Sequence, residues 1–68
     1  MENLHLAQRI RAFRKLKGLT QQQLAEKTGV SLAVLGAVER GNRRPDEQIL
    51  QKIADALNVE LAELTAEG

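Results

Sequence analysis

Two adjacent arginines in a short loop are the clearest candidates for chemistry in this chain of 68 residues. Arg43 and Arg44 lie in the segment GNRRPD, between Gly41 and Pro45, and Arg40 precedes that segment. Because proline disfavours helical dihedral angles at the residue before it, the segment is predicted to be a constrained loop. Guanidinium groups on such a loop match the geometry of phosphate oxygens. The loop is therefore a candidate anion-binding site, although a simple solvated turn has the same composition.

Side chains that could support catalysis or bind a metal are sparse. His5 is the only histidine, cysteine is absent, and no Ser, Cys or paired carboxylate lies next to His5 in the sequence. Glu60 and Glu63 are three residues apart on a predicted helix, a spacing that also fits a solvated face. We therefore expect no enzyme activity, no cofactor, no metal site and no small-molecule ligand.

The net charge of +1 conceals a division of charge along the chain. Residues 1–45 contain nine Lys and Arg against three Glu, a balance of +6, whereas residues 46–68 have a balance of −5. A protein with one side facing a polyanion and an acidic opposite side has this distribution. An ordinary solvated surface with uneven charge has the same distribution, so charge alone does not distinguish these two interpretations.

Composition favours a small all-α protein. There is one aromatic residue, Phe13, and helix-forming residues such as Leu, Ala, Gln, Glu and Lys dominate. We predict a single domain over residues 1–68 with its core at about 6–64. The N-terminus lacks the apolar region of a signal peptide, and no apolar run approaches the roughly 20 residues of a membrane helix. A cytoplasmic location without membrane contact is the expectation.

The segment from Thr20 to Gly41, TQQQLAEKTGVSLAVLGAVERG, is predicted to form two short helices joined by a turn. Thr20 and Ser31 are suitable N-caps, because a side-chain hydroxyl can accept a free backbone N–H of the first turn. Gly29 can adopt the left-handed conformation that ends the first helix. Two helices of this size joined by a glycine-containing turn form the helix-turn-helix pattern, whose second helix can enter a DNA major groove.

Three further helices are predicted around this pair. Residues 3–17 carry apolar side chains at helical spacing, an arrangement that leaves Arg9, Arg11 and Lys15 in solvent. Asp46 is a plausible N-cap for an amphipathic helix over 47–57, and the apolar residues of 59–64 predict a short fifth helix.

Three segments together carry a family resemblance: IRAFRKLKGLTQQQLAEKTGVS, then ERGNRRP, then LQKIADALNVELAEL. In this order and spacing they resemble the helix-turn-helix domains of the lambda-repressor and Cro class, the XRE type. The resemblance extends from about Leu6 to Leu64. It implies a compact five-helix, all-α repressor domain with the helix-turn-helix at helices 2 and 3.

The resemblance assigns phosphate contacts to four residues. Gln21 matches the glutamine that opens the second helix and contacts a DNA phosphate in this family. An amide beside the free N–H groups of a helix N-terminus is physically suited to an anion. Arg40, Arg43 and Arg44 match the region after the third helix that contacts the DNA backbone. Such contacts would position the domain without reading the sequence.

A structural ion pair is also implied. Arg14 and Glu39 match an internal pair that in several family members joins the first helix to the third. Arg14 borders the apolar stripe of the first helix and needs a partner. If the pair is buried, removal of one partner should cost roughly 3–5 kcal/mol.

The positions that face the groove in this family are occupied here by Ser31, Leu32, Ala33, Gly36 and Ala37. Except for Ser31, none has a side chain that can form a hydrogen bond, so bidentate contacts to base edges are excluded. Ser31, backbone groups and apolar contact with thymine methyls remain. Gly36 inside a helix costs roughly 1 kcal/mol relative to Ala, which indicates close approach of another backbone or surface there.

Two functions follow from these observations. The first is a DNA-binding transcriptional regulator, such as a repressor, that binds double-stranded DNA as a homodimer. The expected dimer surface is the region around helix five. The alternative is a protein-interaction or antitoxin-like module that uses the apolar face of helix 3 to bind a protein partner.

Overall fold

The computed structural model describes the backbone of residues 2–66 and the side chains of residues 4–66. Those residues form five helices and no strand: α1 (Glu2–Leu16), α2 (Gln21–Thr28), α3 (Leu32–Glu39), α4 (Glu47–Leu57) and α5 (Leu61–Thr65). The predicted all-α, five-helix fold is confirmed. None of the described helices is both long and apolar enough to span a membrane.

Short-range hydrogen bonds define the start and end of α2. The Thr20 Oγ1 accepts the Gln23 N–H at 3.0 Å, and the Gln23 Oε1 accepts the Thr20 N–H at 2.8 Å, which together form a capping box. At the other end Gly29 has φ 74° and donates its N–H to the Ala25 carbonyl at 2.9 Å. This left-handed conformation is one that a Cβ would disfavour, so glycine ends the helix here.

The same physics sets the bounds of α3 and α4. The Ser31 Oγ accepts the Val34 N–H at 3.1 Å, and the Asp46 Oδ1 accepts the Ile49 N–H at 2.8 Å. Asn58 ends α4 in the left-handed region, with φ 58° and ψ 45°. The predicted N-caps at Ser31 and Asp46 are therefore confirmed.

All five helices contribute to one hydrophobic core. Each supplies at least one side chain with no solvent exposure: Ile10, Leu24, Leu35, Ile53 and Leu64 from α1 to α5 in turn. Helix α1 packs against α3, α4 and α5, and α2 packs against α3 and α4. The helix-turn-helix pair is thereby held between α1 and α4, which leaves one face of α3 at the surface.

Arg9, which was predicted to be solvated, is half-buried. Its Nε donates a hydrogen bond to the Glu63 carbonyl at 2.7 Å, and its guanidinium carbon lies 5.8 Å from the centroid of the Phe13 ring. The first contact forms because α5 folds back against α1. The second forms because residues four apart lie on the same face of a helix.

Candidate nucleic-acid interface

The turn between α2 and α3 is held by a buried threonine. The Thr28 Oγ1 donates to the Leu24 carbonyl at 2.9 Å and accepts the Val30 N–H at 3.2 Å. Thr28 itself is 8% exposed. One hydroxyl therefore joins the last turn of α2 to the segment that leads into Ser31, which fixes the entry of α3.

Behind the exposed face of α3, a two-point ion pair joins that helix to α1. The Arg14 Nε lies 2.8 Å from the Glu39 Oε2, and the Arg14 Nη2 lies 3.0 Å from the Glu39 Oε1. The Arg14 Nη1 also donates to the Leu19 carbonyl at 2.9 Å. The side chains of Arg14 and Glu39 are only 12% and 2% exposed. Because both charges are well paired and hydrogen-bonded, they can be removed from water at the base of α3.

Gln21 joins the same network. Its Nε2 lies 3.2 Å from the Glu39 Oε1. A carboxylate only accepts hydrogen bonds, so the amide nitrogen must face it, and one of the two amide N–H groups remains for another acceptor. Sequence reasoning assigned Gln21 only to a phosphate. It missed the contact to Glu39, which joins residues 18 positions apart and has no signal in sequence spacing.

Gly36 was predicted to face the groove, but the Arg40 side chain covers it. A Cβ built at Gly36 would lie 3.0 Å from the Arg40 Nη1 and 3.8 Å from the Gln21 Oε1. Helical side chains lean toward the N-terminus, so residue i+4 covers residue i, and glycine leaves room for a guanidinium. Gly36 is consequently buried. The close approach expected at this glycine comes from within the chain.

The remaining outward positions of α3 form an apolar face. Leu32 is 46% exposed, Ala33 is exposed, and Ala37 is half-buried. Ser31 is exposed at the start of this face, but its oxygen already accepts the Val34 N–H. Helix α3 therefore presents carbon atoms where a sequence-reading helix commonly presents amides or guanidinium groups.

Three arginines follow α3 directly in the chain. Arg40, Arg43 and Arg44 are all exposed, and the loop that carries the last two is anchored by the buried Pro45. Among the side chains of residues 4–66, the pair that joins α1 to α3 is the only ion pair. The three arginines are thus not neutralised by any described carboxylate, which leaves their charge for an external anion.

The other residues considered for chemistry are dispersed or have structural roles. His5 is exposed on α1. Glu60 and Glu63 cap α5, where the Glu63 Oε1 accepts the Glu60 N–H at 3.0 Å. Within the described part of the chain, no cluster of three or more His, Asp or Glu is arranged to hold a metal ion.

Comparison with known proteins agrees with this arrangement of helices. The helix-turn-helix family model HTH_3 matches residues 10–64. The chain is 55% identical over 56 residues to the uncharacterized HTH-type transcriptional regulator YazB of Bacillus subtilis, covering 82% of this chain and 81% of that protein. It is 39% identical to the immunity repressor protein of Bacillus phage phi105, covering 91% of this chain but 43% of the repressor. Several related regulators are thus more than twice as long as the matched region.

Solved structures give the same result. The restriction-modification controller protein C.AhdI of Aeromonas hydrophila superposes with a TM-score of 0.89 at 39% identity, covering 91% of this chain and 94% of that one. The clp gene regulator ClgR of Corynebacterium glutamicum superposes with a TM-score of 0.91 at 31% identity, covering 96% and 83%. The chain therefore belongs to the HTH_3 family, the XRE-type helix-turn-helix transcriptional regulators.

Proposed function

We propose that this protein binds double-stranded DNA through α3, which lies in the major groove, and thereby regulates transcription. One observation carries the proposal. The side chains of Gln21 and Arg40 converge over Gly36, beside the exposed face of α3 and the N-terminus of α2. The Arg40 guanidinium and a helix N-terminus next to a protruding helix suit a phosphate strand at the edge of a groove.

The N-terminus of α2 adds backbone donors to this site. The first hydrogen bond within the helix runs from the Leu24 N–H to the Thr20 carbonyl at 3.0 Å, and the Gln23 N–H is taken by the Thr20 side chain. The N–H groups of Gln21 and Gln22 precede these bonds and can both donate to an anion. The free N–H of the Gln21 amide is a third donor, so the same phosphate can be held from several directions.

Arg43 and Arg44 supply a second phosphate contact beyond the C-terminal end of α3. Both are exposed on a loop that Pro45 anchors in the protein. A guanidinium binds phosphate in a bidentate manner, and an anchored loop loses less conformational entropy when it does so. Phosphate contacts beside Gly36 and beyond the C-terminal end of α3 would position the helix in the groove without reading bases.

A homodimer is the proposed binding form. One module of this size makes few contacts, and two copies on adjacent half-sites provide useful affinity and specificity. The half-sites would lie about 34–36 Å apart, one helical turn of DNA. We place the dimer surface at α5, which packs against α1 and α4 and leaves α2 and α3 free for DNA.

Salt dependence of duplex binding tests the proposal. Affinity for a mixed-sequence duplex should fall steeply as salt rises, because each neutralised phosphate contributes about −0.9 to the slope of log K against log salt. The R43A/R44A variant should lose affinity for all duplexes about equally, and its slope should become shallower by about 2. Loss of affinity for one sequence alone would mean that the loop reads bases.

A matched control removes the same charge elsewhere. Arg11 and Lys15 are exposed on α1, outside the proposed interface. The R11A/K15A variant has the same net charge as R43A/R44A and should keep most of the parental slope. If both variants lose equal affinity, net charge alone governs binding and the phosphate assignment is wrong.

The exposed apolar face of α3 favours a second candidate function. Leu32 is 46% exposed and lies with the exposed Ala33 on one helix, an apolar surface that suits helix–helix contact with a protein partner. In that case the protein is an interaction or antitoxin-like module. Absence of binding to any duplex at low salt would overturn the DNA proposal and leave this candidate.

A further inference from the structure

We infer that α3 recognises DNA sequence through the C5-methyl groups of thymine, an inference that rests on the proposed DNA-binding function. The reading side chains are Leu32, Ala33 and Ala37. Leu32 and Ala33 are exposed at the start of the helix, and Ala37 is half-buried one turn further on. Residues 33 and 37 are four apart and share a face of the helix, whereas Leu32 lies about 100° away around the helix axis.

Helix α3 has almost no polar side chain that could form a hydrogen bond to a base edge. Gly36 offers no side chain and is covered by Arg40, whose Nη1 lies 3.0 Å from the position that a Cβ would take. The Ser31 oxygen accepts the Val34 N–H as the helix cap, which leaves one lone pair and the hydroxyl hydrogen of this short side chain. The Arg40 guanidinium and the Gln21 amide oxygen both lie within 4 Å of the Cβ position at Gly36, at the proposed phosphate site. No amide, carboxylate or guanidinium of α3 is thus left for a bidentate base contact.

Only one chemical group in the major groove is suited to contact with an apolar side chain. The base edges of this groove present hydrogen-bond donors and acceptors, and the thymine methyl is the one apolar group among them. A leucine or alanine over a cytosine amine or a guanine carbonyl would remove that polar group from water without replacing its hydrogen bond. The same side chain over a methyl group gains buried apolar area. The apolar face of α3 therefore selects thymine by attraction and disfavours polar edges.

The expected effect per base follows from burial of one methyl group. Burial of a single carbon unit changes affinity by about fourfold. Two contacted methyls in one half-site should therefore change affinity by roughly fifteenfold. A homodimer has twice as many contacts, so the preference for its operator can be substantial without any hydrogen bond from α3 to a base.

The test removes only the methyl groups. Bound duplexes are first selected from a random pool at low salt, and the selected sequence is then made with deoxyuridine in place of each thymine in turn. We expect about a fourfold loss of affinity at one or more thymines that face α3, and no loss at thymines outside the selected half-sites. If binding is unchanged at every uridine position, or the selected sites contain no shared thymine, the inference is overturned while DNA binding stands. If no duplex is selected at all, the proposed function itself fails.

Variants of the protein identify the side chain involved. L32A should lose affinity for the thymine duplex but not for the duplex with uridine at the contacted position, because the lost contact is already absent there. L16A is the matched control, since Leu16 is 77% exposed on α1 and the same atoms are removed outside α3. It should bind both duplexes like the parent chain. An equal loss by L32A on both duplexes would show that Leu32 does not contact the methyl.

Discussion

Replacement of Gly36 by alanine should stabilise the protein although the site is buried. Glycine in a helix interior is less favourable than alanine by about 0.8–1 kcal/mol. The new Cβ would lie 3.0 Å from the Arg40 Nη1, so the guanidinium must move by a few tenths of an ångström. That group is the flexible end of an exposed side chain, and its displacement costs less than the gain in helix propensity. The expected net gain is about 0.5–1 kcal/mol in the free energy of unfolding.

Thermal and urea unfolding followed by circular dichroism measure this gain. For a domain of this size, 1 kcal/mol corresponds to about 4–8 °C, so the unfolding temperature of G36A should rise by about 3–6 °C. G29A is the matched control. A Cβ at Gly29 has open space around it, but φ is +74°, so the backbone rather than the neighbours opposes the change. G29A should therefore lower the free energy of unfolding by about 1 kcal/mol.

A double-mutant cycle separates helix propensity from the contact with Arg40. In an R40A background the new Cβ meets no guanidinium, so the gain from G36A should reach the full 1 kcal/mol or so. A lower unfolding temperature for G36A, or a smaller gain in the R40A background than in the parent chain, would refute the assignment of Arg40 as the group that covers Gly36.

Three further predictions concern the supports of the helix-turn-helix. E39A should lower the free energy of unfolding by about 3–5 kcal/mol, because it leaves Arg14 and Gln21 without their acceptor at a nearly buried site; E39Q should cost clearly less, and equal losses in urea unfolding would contradict the charge-based argument. T20A should cost about 1 kcal/mol and reduce helical content at α2, because it removes the acceptor for a first-turn N–H; unchanged unfolding would mean that the cap does not form in solution. N58A should destabilise by about 1 kcal/mol while N58G is nearly neutral, because φ at that position is 58°; the reverse order would exclude the left-handed conformation.

Local chemistry made much of this fold predictable from the sequence. The cap at Thr20 and the cap at Ser31 depend on groups only three residues away, and the end of α2 at Gly29 depends on the dihedral preference of one residue. Apolar spacing located the faces of α1 and α4 that enter the core, because periodicity in sequence maps directly onto one side of a helix. The resemblance to a known family then implied how these helices pack together.

Tertiary structure decided which polar side chains meet. Gln21 meets Glu39 across 18 positions, and Arg9 meets the Glu63 carbonyl across 54, because α2 packs on α3 and α5 folds back on α1. The chain itself indicated that Gly36 accommodates something, but the direction of the Arg40 side chain and the position of the Gln21 amide identify what covers it. Such contacts depend on distances between helices, and residue spacing along the chain contains no record of those distances. The sequence therefore determined a third helix with an apolar outward face and basic flanks, and packing decided which residues of that helix remain exposed.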